Sequence, residues 1–198
     1  MPKYKLTIFT FITLFSGLLS GCLSMSNIQA NSNFELSPDE GIVIVAAPDN
    51  LRIAFHSGNI VENKFFDDEL LPKGFVGNPE SGYLIRKLKA TNKDRGYGLT
   101  SLYTAEKQTY TAKCLEQEEM VLEVKPGVIQ YYTDISFIAD AASIKLSYNT
   151  DLNKAAEYIK QYFPKNTIPI TLGHFKQVLK GTCYPTEITI PIYLPRIK

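Results

Sequence analysis

Few side chains in this 198-residue chain could do covalent or acid–base chemistry at neutral pH: three cysteines, Cys22, Cys114 and Cys183, and two histidines, His56 and His174. A histidine serves as general base for a serine only when a carboxylate orients it, and either histidine could formally join such a set. No Gly-x-Ser-x-Gly elbow names the partners, so no catalytic residue is expected. Zinc needs three or four Cys, His or carboxylate ligands, and no recognisable spacing supplies them. Asp67, Asp68 and Glu69 form an acidic run within Phe65-Phe66-Asp67-Asp68-Glu69-Leu70-Leu71, without the alternating oxygens and turn glycine of a calcium loop. A solvated loop is expected there. No phosphate-cradling glycine loop or dinucleotide fingerprint is present, so the expectation is a non-enzymatic protein that needs no cofactor and no metal.

Cys22 stands apart from the other two thiols by its context. Ahead of it, Lys3 and Lys5 give a positive start, residues 6–19 are mostly apolar, and Ser20-Gly21 supply small residues. The apolar run, roughly 14 residues at about 1.5 Å each, is shorter than the hydrocarbon core of about 30 Å. It reads as a removable leader, residues 1–21. The tetrapeptide Leu19-Ser20-Gly21-Cys22 resembles the bacterial lipobox, in which the thiol takes a diacylglycerol, cleavage falls between Gly21 and Cys22, and the new amine is acylated. Two or three acyl chains anchor stably where one does not, each buried CH₂ contributing about 0.8 kcal/mol. The membrane is therefore the expected partner. Leu23 and Ser24 follow the cysteine with no aspartate, which in a Gram-negative host points to the outer membrane, facing the periplasm.

Cleavage would leave 177 residues, with 19 Lys+Arg against 20 Asp+Glu because the leader carries two lysines and no acid. A near-neutral chain without a basic block offers no electrostatic case for nucleic acid. With Cys22 acylated, Cys114 and Cys183 form an even pair in an oxidising compartment, and a disulfide is expected, worth about 4 kcal/mol in the chain-entropy model. Two buried free thiols are the alternative reading.

The elements that must position these groups read mostly as strands. Residues 22–39, rich in Ser and Asn, read as a flexible tether of about 20–25 Å, and residues 40–198 as one domain. Residues 42–47 and 51–57, joined by Pro48-Asp49-Asn50, suggest an opening hairpin. Residues 58–82 carry repeated turn formers. Further strands are expected at 83–88, 98–103, 110–114, 120–124 and 128–137, with Pro126-Gly127 making a type II turn before the last. Leu152, Ala155, Ala156, Ile159, Tyr162 and Phe163 recur at helical spacing up to Pro164. Residues 171–180 suggest a second short helix, and 186–194 an edge strand interrupted by Pro191. Among 12 Tyr and 11 Phe with no Trp, Tyr131-Tyr132 places adjacent rings on opposite faces of a strand, so one is expected outward as a weak candidate for binding a glycan or protein.

Val124, Pro126, Gly127 and Tyr131, with Asp134, resemble a Val-x-Pro-Gly-x-x-x-Tyr hairpin found in a group of small bacterial lipoproteins. The resemblance implies a β-sandwich similar to transthyretin-like or PEGA-like domains and brings no enzymatic residues. Together these readings predict a mainly β protein: a sandwich of about seven to nine strands with one amphipathic helix. Its expected role is a lipid-anchored binding or accessory module, the rivals being a small envelope hydrolase and a structural subunit with an envelope protein partner.

Overall fold

The apolar run expected at 42–47 forms β1 (Glu40–Ala46), a strand buried on both faces. A run of β-branched residues without alternation suits only such a position. The computed structural model describes residues 27–68, 74–104, 109–111, 118–139 and 144–181, and within them twelve strands in two sheets and one helix.

In the first sheet β1 lies antiparallel to β5 (Tyr83–Lys89) and parallel to β9 (Ile129–Ala139). The far edge of β9 is shared: β11 (Ile170–Leu172) pairs with Ile129–Tyr131, and β10 (Ile144–Asn149) with Asp134–Ala139. The second sheet curls on itself. Its long strand β2 (Leu51–Val61) pairs with β3 (Lys64–Asp67), which lies parallel to β12 (Phe175–Lys180); β12 pairs with β8 (Glu118–Leu122), β8 with β6 (Arg95–Thr104), and β6 returns to β2. These five strands make a closed ring. Two short strands, β4 (Phe75–Gly77) on β2 and β7 (Thr109–Thr111) on β6, widen its other end.

The layers follow from side-chain alternation. Val43, Val45, Leu84, Tyr132 and Ile135 of the first sheet pack on Ile53, Phe55, Leu99 and Leu122 of the second. The opposite face of the first sheet, with Ile42, Ile44, Ile85, Ile129 and Tyr131, is covered by α1 (Leu152–Tyr162) and its C-cap residue, through Ala155, Ile159 and Phe163. Those three residues are four apart, one stripe of a 3.6-residue period. Asp151 caps α1, its carboxylate accepting the Lys154 N–H at 3.0 Å.

Several expectations change. Residues 171–180 form β11 and β12 rather than a second helix, because β12 supplies the strand between β3 and β8 without which the ring would have open edges. The Pro48-Asp49-Asn50 turn does not make a hairpin; it carries the chain from the first sheet into the second. Nor do the strands around Pro126-Gly127 pair with each other, since β8 and β9 also belong to different sheets, although Gly127 does take the positive φ, +72°, that the turn requires. Twelve strands replace seven to nine, partly because β3 and β4 lie in the stretch expected to be a loop.

The expected tether is docked over its described part. Both polar atoms of the Asn27 side chain are used twice: the amide donates to the carbonyls of Asn78 (3.2 Å) and Tyr83 (3.3 Å), and the oxygen accepts from the Ile85 N–H (2.9 Å) and the Arg86 guanidinium (2.7 Å). Downstream, the Asn31 N–H donates to the Tyr162 carbonyl at 2.8 Å and the Phe34 ring lies 4.6 Å from that of Phe163. Ser/Asn-rich composition argued for a coil, but one amide that matches the donors and acceptors of a strand edge suffices to hold the segment. Cys22, Cys114, Cys183, Glu69 and the strand expected at 186–194 lie outside the described residues, as does Gly21.

Two substitutions test this architecture. Ile44→Ala, at a fully buried position of β1, should cost about 3 kcal/mol in denaturant unfolding with an unchanged m-value. Asn27→Ala should cost about 2 kcal/mol by stranding buried partners, and should speed hydrogen exchange at Asn31 well before that of the β1 amides.

Candidate functional site

A cleft of about 320 Å³ opens where β1 gives way to Ala47 and Pro48, bordered by Ser81, Gly82 and Tyr83 at the start of β5, Asp134 and Ile135 of β9, and Lys154 of α1. It lies at the strand ends of the first sheet, beside the first turn of the helix.

The cleft owes its polar lining to an irregularity in β9. Ile44 pairs with Tyr131 but Val45 with Thr133, so Tyr132 is an extra residue. Strict alternation would put Asp134, three positions on, across the sheet from Tyr131. The extra residue turns it back, and the Tyr131 hydroxyl donates to Asp134 Oδ1 at 2.6 Å. The same hydroxyl accepts the Asp151 N–H at 3.2 Å, tying the cap of α1 to the strand. Burial first, and the bond to Asp134 second, raise the Tyr131 hydroxyl above the usual tyrosine range.

Tyr83 sits beside this relay. Its ring lies 4.1 Å from that of Tyr158, and its hydroxyl is buried with no hydrogen-bond partner among the described residues. Burial, aided by the negative charges of Asp134 and Asp151, pushes that hydroxyl up to about 12, so it stays a neutral donor at any physiological pH. An unmade buried bond of this kind costs about 1–3 kcal/mol. The facing turn is tightly held: the Ala47 N–H donates to the Gly82 carbonyl at 3.0 Å and the Gly82 N–H to Asp49 Oδ1 at 2.6 Å. Asp134 and Lys154 thus border one space with opposite charges, on rigid elements. That arrangement suits a small ligand carrying both charges.

A second polar group lies inside the closed ring. Glu119 of β8 is 2% exposed, and neither carboxylate oxygen has a hydrogen-bond partner among the described residues. Lys180 of β12 and Asp67 of β3, both buried, act on it electrostatically. Burial pushes the Glu119 carboxyl up to about 8 against the pull of Lys180. The fit is close enough that a Cβ on Gly98 would lie 2.6 Å from Glu119 Oε1 and 2.4 Å from the Phe65 ring, so only glycine serves there.

The residues singled out from sequence fare differently. Tyr131 and Tyr132 do face opposite ways, but neither faces solvent, since both sides of the first sheet are covered; they are 0% and 1% exposed. Tyr132 donates its hydroxyl to the Glu123 carbonyl at 2.5 Å. The expected outward tyrosine is corrected accordingly: Tyr131 contributes to the cleft from beneath, through Asp134. His56 Nδ1 lies 3.5 Å from Asp67 Oδ2, whereas the neighbouring Ser57 hydroxyl donates to Asp68 Oδ2 at 2.7 Å. Asp68 also accepts Arg95 at 2.6 Å, so the acidic run is tied into strands rather than solvated at Asp67 and Asp68. His174 is exposed between β11 and β12. Among the described residues no three His, Cys, Asp or Glu side chains gather as metal ligands.

Tyr83, Lys154 and Glu119 were not singled out from sequence. Glu119 closes a run of acids that reads as a polar turn, and only the pairing of β8 shows that it points inward with Val121. Because its carboxyl binds its proton more tightly in the folded state than at the ordinary 4.5, its contribution is fully present below that value. It is lost as pH rises toward about 8, at no more than about 1.4 kcal/mol per pH unit. Glu119→Gln should flatten that decline, gaining on the wild type steadily across the range in urea melts.

Comparison with family models, with curated proteins and with solved structures finds no match for this chain.

Proposed function

We propose that this protein is a lipid-anchored accessory protein of the bacterial cell envelope, held at the outer membrane and acting by binding rather than by catalysis. The observation that carries the reading is Leu19-Ser20-Gly21-Cys22 at the end of a basic, then apolar leader. Its four positions each have the residue type that diacylglycerol transfer and cleavage require, and the acyl chains supply the membrane affinity that a near-neutral surface lacks. The cleft supports binding as the mode of action. Its charged groups sit on a sheet and a helix that are packed and hydrogen-bonded in place, as recognition demands. Its one serine, Ser81, lies in a tight turn near a lysine and a carboxylate, with no imidazole lining the space. Two sheets packed face to face support the sandwich part of the expectation, whereas the closed five-strand ring departs from it.

The anchor is tested by Cys22→Ser. The wild-type chain should incorporate labelled palmitate and fractionate with the outer membrane; the variant should incorporate none and leave that fraction, either released or stalled as a longer precursor. A variant that still sediments with the outer membrane, unlabelled but processed, would sink the assignment.

A further inference from the structure

We infer that the cleft bounded by Tyr83, Asp134 and Lys154 binds the phosphoethanolamine headgroup of the lipids beside which the protein is anchored. The inference rests on the lipoprotein reading and adds the ligand class of the same site.

Three observations converge. The first is charge. Lys154 makes no ion pair among the described residues, and the Asp134 carboxylate accepts the Tyr131 hydroxyl at one oxygen, with no further hydrogen bond of that carboxylate to a described residue. An ammonium with N–H donors fits the carboxylate, and a phosphate fits the lysine. The second is the wall of the cleft: Tyr83 lines it while its ring is packed into the core at 5% exposure, so the space is bounded by a fixed aromatic residue. The volume, about 320 Å³, is at the lower end for small-ligand sites, in keeping with a headgroup.

The third observation chooses the source of such a ligand. Asn27 is fastened directly to the carbonyl of the cleft residue Tyr83 at 3.3 Å. Between Asn27 and the acylated Cys22 stand only Leu23, Ser24, Met25 and Ser26. Five steps of extended chain reach at most about 17 Å. A domain on a long tether would sample all orientations, whereas this one is held with the cleft end toward the leaflet. The nearest abundant zwitterion is then the headgroup layer itself, at a local concentration that compensates for a weak site.

The test uses the acylated protein in maltoside micelles, its acyl chains verified by mass before any titration. Glycerophosphoethanolamine should give saturable NMR shifts confined to Tyr83, Asp134, Lys154 and their neighbours. Glycerophosphocholine, which lacks N–H donors, and inorganic phosphate should each bind about tenfold or more weakly. Lys154→Ala, at an exposed position outside the core, and Asp134→Asn, which keeps an acceptor for Tyr131, should each weaken glycerophosphoethanolamine about tenfold. No saturable binding by acylated protein overturns the inference while leaving the anchor intact. Equal affinity for the choline compound or for phosphate overturns it too, as does wild-type affinity in both variants. Protein that purifies without acyl chains would instead count against the lipoprotein reading.

Discussion

Burial of β1 on both faces is the constraint on which the rest of this structure depends. A strand whose neighbours lie on each side, and whose alternate side chains both enter apolar layers, must have a cover on each surface. One cover is the second sheet and the other is α1, so three layers follow from a single short run of isoleucine and valine. Tyr131 and Tyr132 inherit the same geometry one strand away: each ring finds a core, and each hydroxyl finds an acceptor at the layer's margin. Burying two adjacent tyrosines is tolerable only because both hydroxyls are satisfied.

Polar function enters where this regularity is broken. The extra residue in β9 rotates Asp134 onto the helix side, and the Tyr131 hydroxyl then links carboxylate, strand and helix cap into one unit. Rigidity of the cleft comes from the same packing that stabilises the fold. In the closed ring the physics runs the other way. Glu119 is confined beside Phe65 with no hydrogen-bond partner among the described residues, and the neighbouring Lys180 only partly offsets the desolvation, so a proton is the least costly partner. The cleft leaves its charges open to a ligand, whereas the ring neutralises its own.

The arm at 27–39 connects the fold to the proposed anchor. Its docking through Asn27 shows how a polar residue in an unpromising sequence can outweigh composition: four hydrogen bonds to a strand edge and a buried cation leave the segment little freedom. A lipid attached five residues upstream would then hold the whole domain in a narrow range of orientations, so the linkage to the membrane is a matter of geometry as well as affinity.

Local signals decided much here. The doubly buried character of β1, the strands β5, β6, β8 and β9, the stripe that makes α1 and its stop at Pro164, and the positive φ at Gly127 are all short-range in origin, set by periodicity, turn chemistry and residue type within a few positions. What only the tertiary structure decided is partnership. Residues 171–180 carry a pattern compatible with a helix, and became strands because two ring edges needed pairing; the turns at Pro48 and Gly127 join different sheets, each flanking strand pairing with partners remote in sequence. The inward aim of Glu119, the return of Asp134 to the face of Tyr131, and the fastening of Asn27 all depend on register and on residues more than fifty positions away or on another strand. Period and propensity are properties of a segment, whereas register, layer and site are properties of contacts between segments, which no local pattern encodes.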